Sequence, residues 1–94
     1  SREEYADMMR IERELMQGIA SALAANDAPD SAAAHAIVAL HKRWLCFHWA
    51  TYTPAAHRGL AALYLLDERF TAYYEKAAPG GAQFLHDAIC AVLG

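Results

Sequence analysis

Seventeen consecutive residues at positions 41–57, HKRWLCFHWATYTPAAH, carry most of the side chains of this chain that could do chemistry. The segment contains three imidazoles and four aromatic rings, which belong to His41, Trp44, Phe47, His48, Trp49, Tyr52 and His57. Residues of these types at this density are typical of a metal centre, a catalytic site, a haem pocket or a cleft for an aromatic ligand. A well-packed core is the structural alternative.

A metal centre at these histidines is disfavoured by their spacing. Two imidazoles on one helix chelate a single ion when they are four residues apart. His41 and His48 are seven residues apart, which is about 10.5 Å along a helix axis. His86 and Cys90 have the right spacing, but no further ligands accompany them. We therefore predict no metal site and interpret this pair as a surface histidine beside a buried cysteine.

A catalytic site is disfavoured by the placement of the two cysteines. Cys46 and Cys90 are each predicted to lie late in a helix, where the helix dipole disfavours a thiolate, and we expect Cys46 to be buried. Neither lies in a Gly-rich turn, and paired carboxylates, G-x-S-x-G and P-loop motifs are absent. Haem is also disfavoured, because there is no C-x-x-C-H motif and the chain is short for enclosing a macrocycle. We therefore predict a protein that is not an enzyme and has no cofactor.

The composition predicts a single globular domain. The chain has 94 residues, of which 56% are hydrophobic and 20% charged, and its net charge is −3. One modest core is feasible at this length, and the acidic balance disfavours binding of nucleic acid by this segment. No apolar run approaches the about 18 residues of a membrane span, and two distant cysteines do not make a secreted disulfide framework. We therefore expect a cytoplasmic protein without a membrane partner and, because Ser1 is not an initiator Met, a fragment of a longer one.

Hydrophobic periodicity and capping residues predict that the chain is all-α. A first helix is expected from Ser1 to about Ala25. Its apolar residues recur at helical spacing at Met8, Ile11, Leu15, Ile19 and Leu23. Glu12 is assigned to another face of this helix. Asn26 suits a C-terminal cap, and Pro29 cannot continue the hydrogen-bond ladder.

Four further helices are predicted from similar signals. The second begins at a cap on Asp30 or Ser31 and runs to about Trp49. Its buried stripe is expected to consist of Ile37, Leu40, Trp44 and Phe47. Thr53 and the proline after it begin a third helix, Asp67 begins a short fourth one, and APGG separates that from a fifth, AQFLHDAICAVL. No alternation of period two is present, so we expect about five helices and no strand.

The aromatic residues leave two interpretations open. Rings at helical spacing usually belong to a core. Their density favours a binding site, because most of the ten Phe, Trp and Tyr residues lie between Trp44 and Phe84, with histidines among them. Buried Trp and Tyr need hydrogen-bond partners, and an apolar wall with a few placed polar groups is what a small-molecule cleft requires.

Motifs in the second half resemble those of the TipAS antibiotic-recognition domain. They are HKRW at 41–44, HRGLAALYLLDERFTAYY at 57–74 and PGGAQFLHDAI at 79–89, and the leading REEYADMM is similar to the start of that family. The block GLAALYLLDERF is the most specific of them, since its Gly, Asp, Arg and aromatic residues fall in one register. The resemblance covers essentially the whole chain and implies one TipAS-like domain over residues 1–94.

The resemblance implies the C-terminal effector-binding domain of a MerR-family transcription activator. Members of the family are all-helical, are described as globin-like and lack haem. They bind thiopeptide antibiotics or other bulky, often aromatic compounds in a cleft between helices. The full regulators also carry an N-terminal winged helix-turn-helix and a coiled coil, neither of which is in this chain. Through that part we expect a full-length homodimer that contacts DNA and RNA polymerase.

One segment departs from the family pattern. Members that capture thiopeptides covalently carry a cysteine shortly before the H-x-x-L element, whereas this chain has ATYTPAA at 50–56, with Tyr52 near the expected position. We therefore expect reversible binding. In the shared block, Gly59 is expected to allow a close approach of another backbone or a ligand. Tyr73 and Tyr74 point about 100° apart on a helix, so at most one is expected to face a given cleft.

These observations together predict a ligand-sensing domain that holds a hydrophobic, partly aromatic compound. The expected wall of the cleft consists of Trp44, His48, Tyr52, His57, Tyr64, Phe70 and Tyr73, with Leu60 and Phe84 on its floor. The rings would supply stacking area, and the histidines and Tyr52 would supply orienting hydrogen bonds. Two alternatives stay open: a protein-interaction or dimer-support module without a small ligand, and a stand-alone drug-sequestering protein.

Overall fold

The computed structural model describes all 94 residues, Ser1–Gly94, and consists of five α-helices joined by short connections. The helices are α1 (Arg2–Ala24), α2 (Ala32–Cys46), α3 (Pro54–Leu66), α4 (Glu68–Glu75) and α5 (Gly81–Leu93). The chain has no strand, and the prediction of an all-α fold is confirmed. None of the helices is both long and apolar enough to cross a membrane.

Side-chain caps set the starts of the first four helices. The hydroxyl of Ser1, Ser31 or Thr53, or the carboxylate of Asp67, accepts a hydrogen bond from an amide in the first turn. The donor–acceptor distances lie between 2.9 and 3.1 Å. Amides at a helix start have no partner inside the helix, so these bonds stabilise the starts. The predicted starts are confirmed, with Ser31 instead of Asp30 before α2.

Replacing Thr53 with Ala is expected to lower the free energy of unfolding by about 1 kcal/mol, because the amide of Ala56 would lose its acceptor, now 3.0 Å away. Thr53→Ser keeps the hydroxyl and is the matched control, with a stability close to that of the wild type. Urea denaturation followed by circular dichroism measures both variants. Equal stabilities of the Ala and Ser variants would show that this cap contributes nothing.

Helix α5 occupies the centre of the molecule and packs against each of the other four helices. Its apolar face includes Leu85 and Ile89, which are fully buried. Helix α1 contributes Ile11, Leu15 and Ile19, which are buried as the periodicity predicted. Burial of apolar side chains of this size is the main source of stability in a domain of this length.

The buried face of α2 differs from the predicted one. The structure buries Ile37, Val38, His41 and Leu45, whereas Leu40 and Trp44 are half-buried and Phe47 is exposed. Helix α2 carries apolar residues on more than one side, so periodicity does not decide which side meets α1 and α5. A histidine can lie on the buried side because both nitrogens of the His41 ring have hydrogen-bond partners.

Side chains of α4 and α3 hold the two ends of α5. At its start, the carboxylate of Glu75 accepts hydrogen bonds from the amides of Gly80 and Ala82, each at 3.2 Å. At its end, the guanidinium of Arg58 donates to the carbonyl of Leu93 at 2.9 Å. A negative charge at the start of a helix and a positive charge at its end both interact favourably with the helix dipole. These contacts fix α4 and α3 relative to the central helix.

Candidate functional site

Helices α1, α2, α3 and α4 surround an open cavity of about 600 Å³. Its lining residues are Glu12, Trp44, Leu45, His48, Trp49, Leu60, Tyr64, Arg69, Phe70, Tyr73 and Tyr74. Six of these are Trp, Tyr or Phe, and we call this space the aromatic cavity. Its volume lies within the range of about 300–1,000 Å³ that is typical of pockets for small molecules.

The structure places most of the predicted cleft residues in the wall of this cavity. They are Trp44, His48, Leu60, Tyr64, Phe70 and Tyr73. Tyr52, His57 and Phe84 were predicted with them but do not line it. Phe84 is only 7% exposed and belongs to the core around α5. Tyr52 and His57 lie behind the wall, in a hydrogen-bonded network described below. Contact of any of these residues with a ligand stays a prediction.

The end of α2 forms one side of the aromatic cavity. The helix was predicted to reach about Trp49 but ends at Cys46. The carbonyl of Leu45 accepts hydrogen bonds from the amides of both His48, at 2.9 Å, and Trp49, at 2.8 Å. The two hydrogen bonds close the last turn of the helix, and the chain continues from there toward α3. As a result Trp49, which was not among the predicted wall residues, lines the cavity.

Two adjacent tyrosines of α4 both contribute to the wall, contrary to the prediction that at most one would. Tyr74 lies deep, with 2% exposure, and Tyr73 is half-buried beside it. Their ring planes are nearly perpendicular, at 88°, with centroids 5.0 Å apart. The cavity is wide enough for side chains that leave the helix about 100° apart to reach it.

A buried network of hydrogen bonds lies behind the wall and connects α2, α3 and α4. The Nδ1 atom of His41 is 2.7 Å from Nε2 of His57, whose Nδ1 is 2.8 Å from the hydroxyl of Tyr52. On the other side, Nε2 of His41 is 2.9 Å from the hydroxyl of Tyr64 and 3.3 Å from that of Tyr74. We call these five residues the histidine–tyrosine network. No buried side-chain nitrogen or oxygen lacks a partner, so the network satisfies its polar groups inside the protein.

Both histidines of this network are held in the neutral form. Burial and, to a smaller extent, the neighbouring His57 lower the pKa of His41 to about 3. Burial lowers the pKa of His57 to about 4, with a contribution from the charge of Lys42. A neutral imidazole has one donor and one acceptor nitrogen. The bonds through the two rings must therefore all point the same way, either from Tyr52 toward Tyr64 or in reverse.

The two tyrosines that the network shares with the cavity wall stay protonated at neutral pH. Burial raises the pKa of Tyr64 to about 12, although a hydrogen bond from Tyr74 opposes this shift. Burial also raises the pKa of Tyr74, and the nearby Tyr64 and Glu12 add to the effect. The deep part of the wall therefore carries neutral hydroxyl groups among aromatic rings.

Two charged residues line the aromatic cavity, and neither was predicted. The guanidinium of Arg69 is paired with Asp67, with Nη2–Oδ2 at 2.8 Å and Nε–Oδ1 at 3.2 Å. These bonds hold the pKa of Asp67 at about 2. Glu12 was assigned to an outward face of α1 but is half-buried in the wall. Apolar residues lie one helical turn before Glu12, at Met8, and one turn after it, at Met16. This spacing is the sequence signal that could have placed Glu12 on the inner side of α1.

The two cysteines lie outside the aromatic cavity and both are exposed. The predictions that Cys46 and Cys90 would be buried are therefore wrong. On α5, the buried side is taken by Ala88 and Ile89, and Cys90 lies on the solvent side. The Sγ atom of Cys90 is 3.7 Å from Nε2 of His86. No thiol is in position to react with a molecule inside the cavity.

Together the fold and the site define a small all-α domain with an aromatic cavity between its helices. Comparison with protein-family models identifies the TipAS antibiotic-recognition domain over residues 1–92. The chain belongs to this family, as the motifs in its sequence predicted. Searches of curated proteins and of solved structures found no match.

Proposed function

We propose that this chain is the ligand-sensing domain of a MerR-type transcription regulator and that it binds a bulky, partly aromatic compound in the aromatic cavity. The observation that carries the proposal is the cavity itself, because about 600 Å³ of space remains open among six aromatic side chains of a domain of 94 residues. A chain that used these rings only for packing would close them against each other. Stacking and apolar burial supply the affinity, and the domain is not an enzyme.

Binding in this proposal is reversible. No cysteine lines the aromatic cavity, and the segment 50–56 contains none. The neutral hydroxyls of Tyr64 and Tyr74 are weak nucleophiles, because burial keeps them protonated. The polar groups of the wall therefore orient a ligand by hydrogen bonds and form no bond with it.

In this proposal, ligand binding is transmitted through the four helices that surround the cavity. A ligand that contacts residues of α1, α2, α3 and α4 stabilises the arrangement in which all four surround it. In a full-length cytoplasmic homodimer, an N-terminal DNA-binding region would receive this change and alter its contacts with DNA and RNA polymerase. The proposal assigns no nucleic-acid contact to the residues of this chain.

Titration with thiopeptide antibiotics and polycyclic aromatic drugs is expected to change the tryptophan fluorescence and to raise the melting temperature. Trp44 and Trp49 are the only tryptophans of the chain and both line the cavity, so the emission reports on the cavity alone. A ligand at about 100 times its Kd stabilises the folded state by about 2.7 kcal/mol, which is several degrees for a domain of this size.

Phe70→Ala and Tyr5→Ala form a matched pair for this titration. Phe70 is 38% exposed and lines the aromatic cavity, whereas Tyr5 is 62% exposed and lies outside it. We expect the first variant to weaken binding at least severalfold, because a stacking surface is lost, and the second to leave it unchanged. If a broad panel shifts neither the emission nor the melting temperature, the sensing function is wrong.

A protein-interaction module is the second candidate, and exposed leucines at the end of α3 favour it. Leu63 is 47% exposed and Leu66 is 79% exposed. Binding of a partner there would be sensitive to Leu66→Ser and insensitive to Phe70→Ala, which is the reverse of the pattern expected for a ligand in the cavity. A stand-alone drug-sequestering protein would use the same cavity and would differ in having no DNA-binding region.

A further inference from the structure

Glu12 is the one charged group of the aromatic cavity that has no ion-pair partner. The other one, Arg69, is neutralised by Asp67 and has a side chain that is 85% exposed, which places it at the rim. No Lys, Arg or His nitrogen lies within 4.0 Å of the Glu12 carboxylate. Because Arg69 and Asp67 cancel, the lining carries a net negative charge.

The carboxylate of Glu12 acts on the interior of the cavity. Burial is the main cause that raises the pKa of Tyr74, and the negative charge of Glu12 adds to it. Tyr74 lies in the deep part of the wall, with 2% exposure. Glu12 and Tyr74 line the same cavity, so the carboxylate contributes a negative potential to the space beside this ring.

Other positive groups near Glu12 line a second hollow, which shares Glu12 and Tyr73 with the aromatic cavity. That hollow is lined by Arg13, Met16, Gln17 and Lys76 together with Glu12 and Tyr73. The ammonium of Lys76 lies over the ring of Tyr73, 5.0 Å from its centroid. The ammonium of Lys42 lies over the ring of Tyr52 at 4.7 Å. Aromatic faces of this protein thus already hold cations in two places, as expected from the negative potential of a ring face.

We propose that Glu12 makes the aromatic cavity selective for aromatic compounds that carry a positive charge, such as ring systems with a quaternary or protonated nitrogen. The rings of the wall provide stacking and cation–π contacts, and Glu12 provides the counter-charge. The inference rests on the proposed function and adds the chemical class of the ligand. It assigns a specificity-determining role to a residue of α1, which contributes no other side chain to the cavity.

Three probes with the same ring system test this selectivity. Acridine is neutral at mildly alkaline pH, N-methylacridinium is a permanent cation, and acridine-9-carboxylate is an anion. Their Kd values are measured by tryptophan quenching and by calorimetry. We expect the cation to bind about tenfold more tightly than acridine and the anion to bind more weakly than both.

Glu12→Gln removes the charge and keeps the shape of the side chain. It is expected to weaken the binding of N-methylacridinium much more than that of acridine, so that the preference for the cation is lost. Glu14→Gln is the matched control, because Glu14 is exposed on the same helix and pairs with Arg10 at 3.4 Å outside the cavity. This variant changes the net charge of the protein by the same amount and is expected to keep the preference.

Each contrary outcome has a distinct meaning. Equal affinities of the wild type for acridine and the cation would overturn the role of Glu12 while supporting the cavity as a binding site. The same would follow if Glu12→Gln weakened all three probes equally, or if Glu14→Gln weakened the cation as much as Glu12→Gln does. If none of the three probes binds, the selectivity proposed for the cavity is overturned, whereas the sensing function is decided separately by the titration with the broad panel.

Discussion

Lowering the pH from 7 to 5 is expected to reduce the free energy of unfolding by about 4 kcal/mol. The folded state holds His41 and His57 neutral, with pKa values of about 3 and about 4, whereas an unfolded chain protonates both near the ordinary value of 6.5. Below that value the unfolded state binds more protons than the folded one, so stability falls as the pH falls. Each of the two histidines loses about 1.4 kcal/mol of stabilisation per pH unit below 6.5. Over the about 1.5 units between 6.5 and 5, the two together lose about 4 kcal/mol.

This loss of free energy of unfolding is the largest that we expect from a change in solution conditions. Domains of this length are stable by about 5–15 kcal/mol, so a large part of the stability is lost by pH 5. The loss due to His57 continues until the pH approaches 4, and the loss due to His41 until it approaches 3, where each ring begins to bind a proton in the folded state. The carboxylate of Asp67 has a pKa of about 2 in the folded state and 3.8 in an unfolded chain, so it is ionised in both states above pH 5 and its own contribution is lost only at lower pH.

Urea denaturation at a series of pH values measures the slope. His57→Gln, which keeps a hydrogen-bonding side chain, is expected to fold with a slope reduced by about half. His48→Gln is the matched control, because it makes the same substitution at an exposed histidine outside the histidine–tyrosine network. Nuclear magnetic resonance of the histidine rings gives an independent check, since His41 and His57 should not titrate above pH 5. Ordinary titration of both rings near 6.5 would contradict the prediction.

The features that could be predicted from the sequence are those set by a few neighbouring residues. The cap at Ser31, the cap at Thr53 with its proline and the cap at Asp67 each depend on a hydrogen bond to an amide two or three residues further along the chain. The side chain and its partner are close in any conformation, so the signal is local. The number and order of the helices followed from these caps and from the hydrophobic periodicity between them.

The features that could not be predicted depend on distant partners. His41 meets its partners His57, Tyr64 and Tyr74 across 16, 23 and 33 residues of chain. A histidine in an apolar helix gives no local sign of a buried hydrogen-bonded role, so the predicted stripe of α2 was right at Ile37 but omitted His41. Trp49 reaches the cavity wall because α2 ends at Cys46, three residues before the predicted end.

The candidate site shows the same division between local and distant signals. The aromatic block in the sequence identified residues of α3 and α4 such as Tyr64, Phe70 and Tyr73, because that block folds as one unit. Glu12 was missed because it comes from α1, whose orientation toward α4 is decided by packing of the whole bundle. The sequence carries only a weak signal for its position, which is a charged residue flanked at helical spacing by apolar ones.

Gly81→Ala is expected to lower the free energy of unfolding by about 3 kcal/mol. A Cβ atom at this position would overlap the backbone carbonyl oxygen of Tyr74, where α4 packs against the start of α5. Backbone atoms cannot rotate away as a side chain can, so α4 and α5 would have to separate. The carboxylate of Glu75 would then lose its hydrogen bonds to the amides of Gly80 and Ala82.

Gly59→Ala is the matched control and is expected to have the opposite sign. Gly59 lies inside α3, and a Cβ atom at this position would have no neighbour within 4 Å, so the predicted close approach of another backbone is wrong. Alanine there should stabilise the protein by about 0.5–1 kcal/mol, because glycine loses more conformational freedom on folding. Urea denaturation measures both variants. A Gly81→Ala variant as stable as Gly59→Ala would mean that α4 is not held against α5, and Tyr73 and Tyr74 would then have no fixed place in the wall of the aromatic cavity.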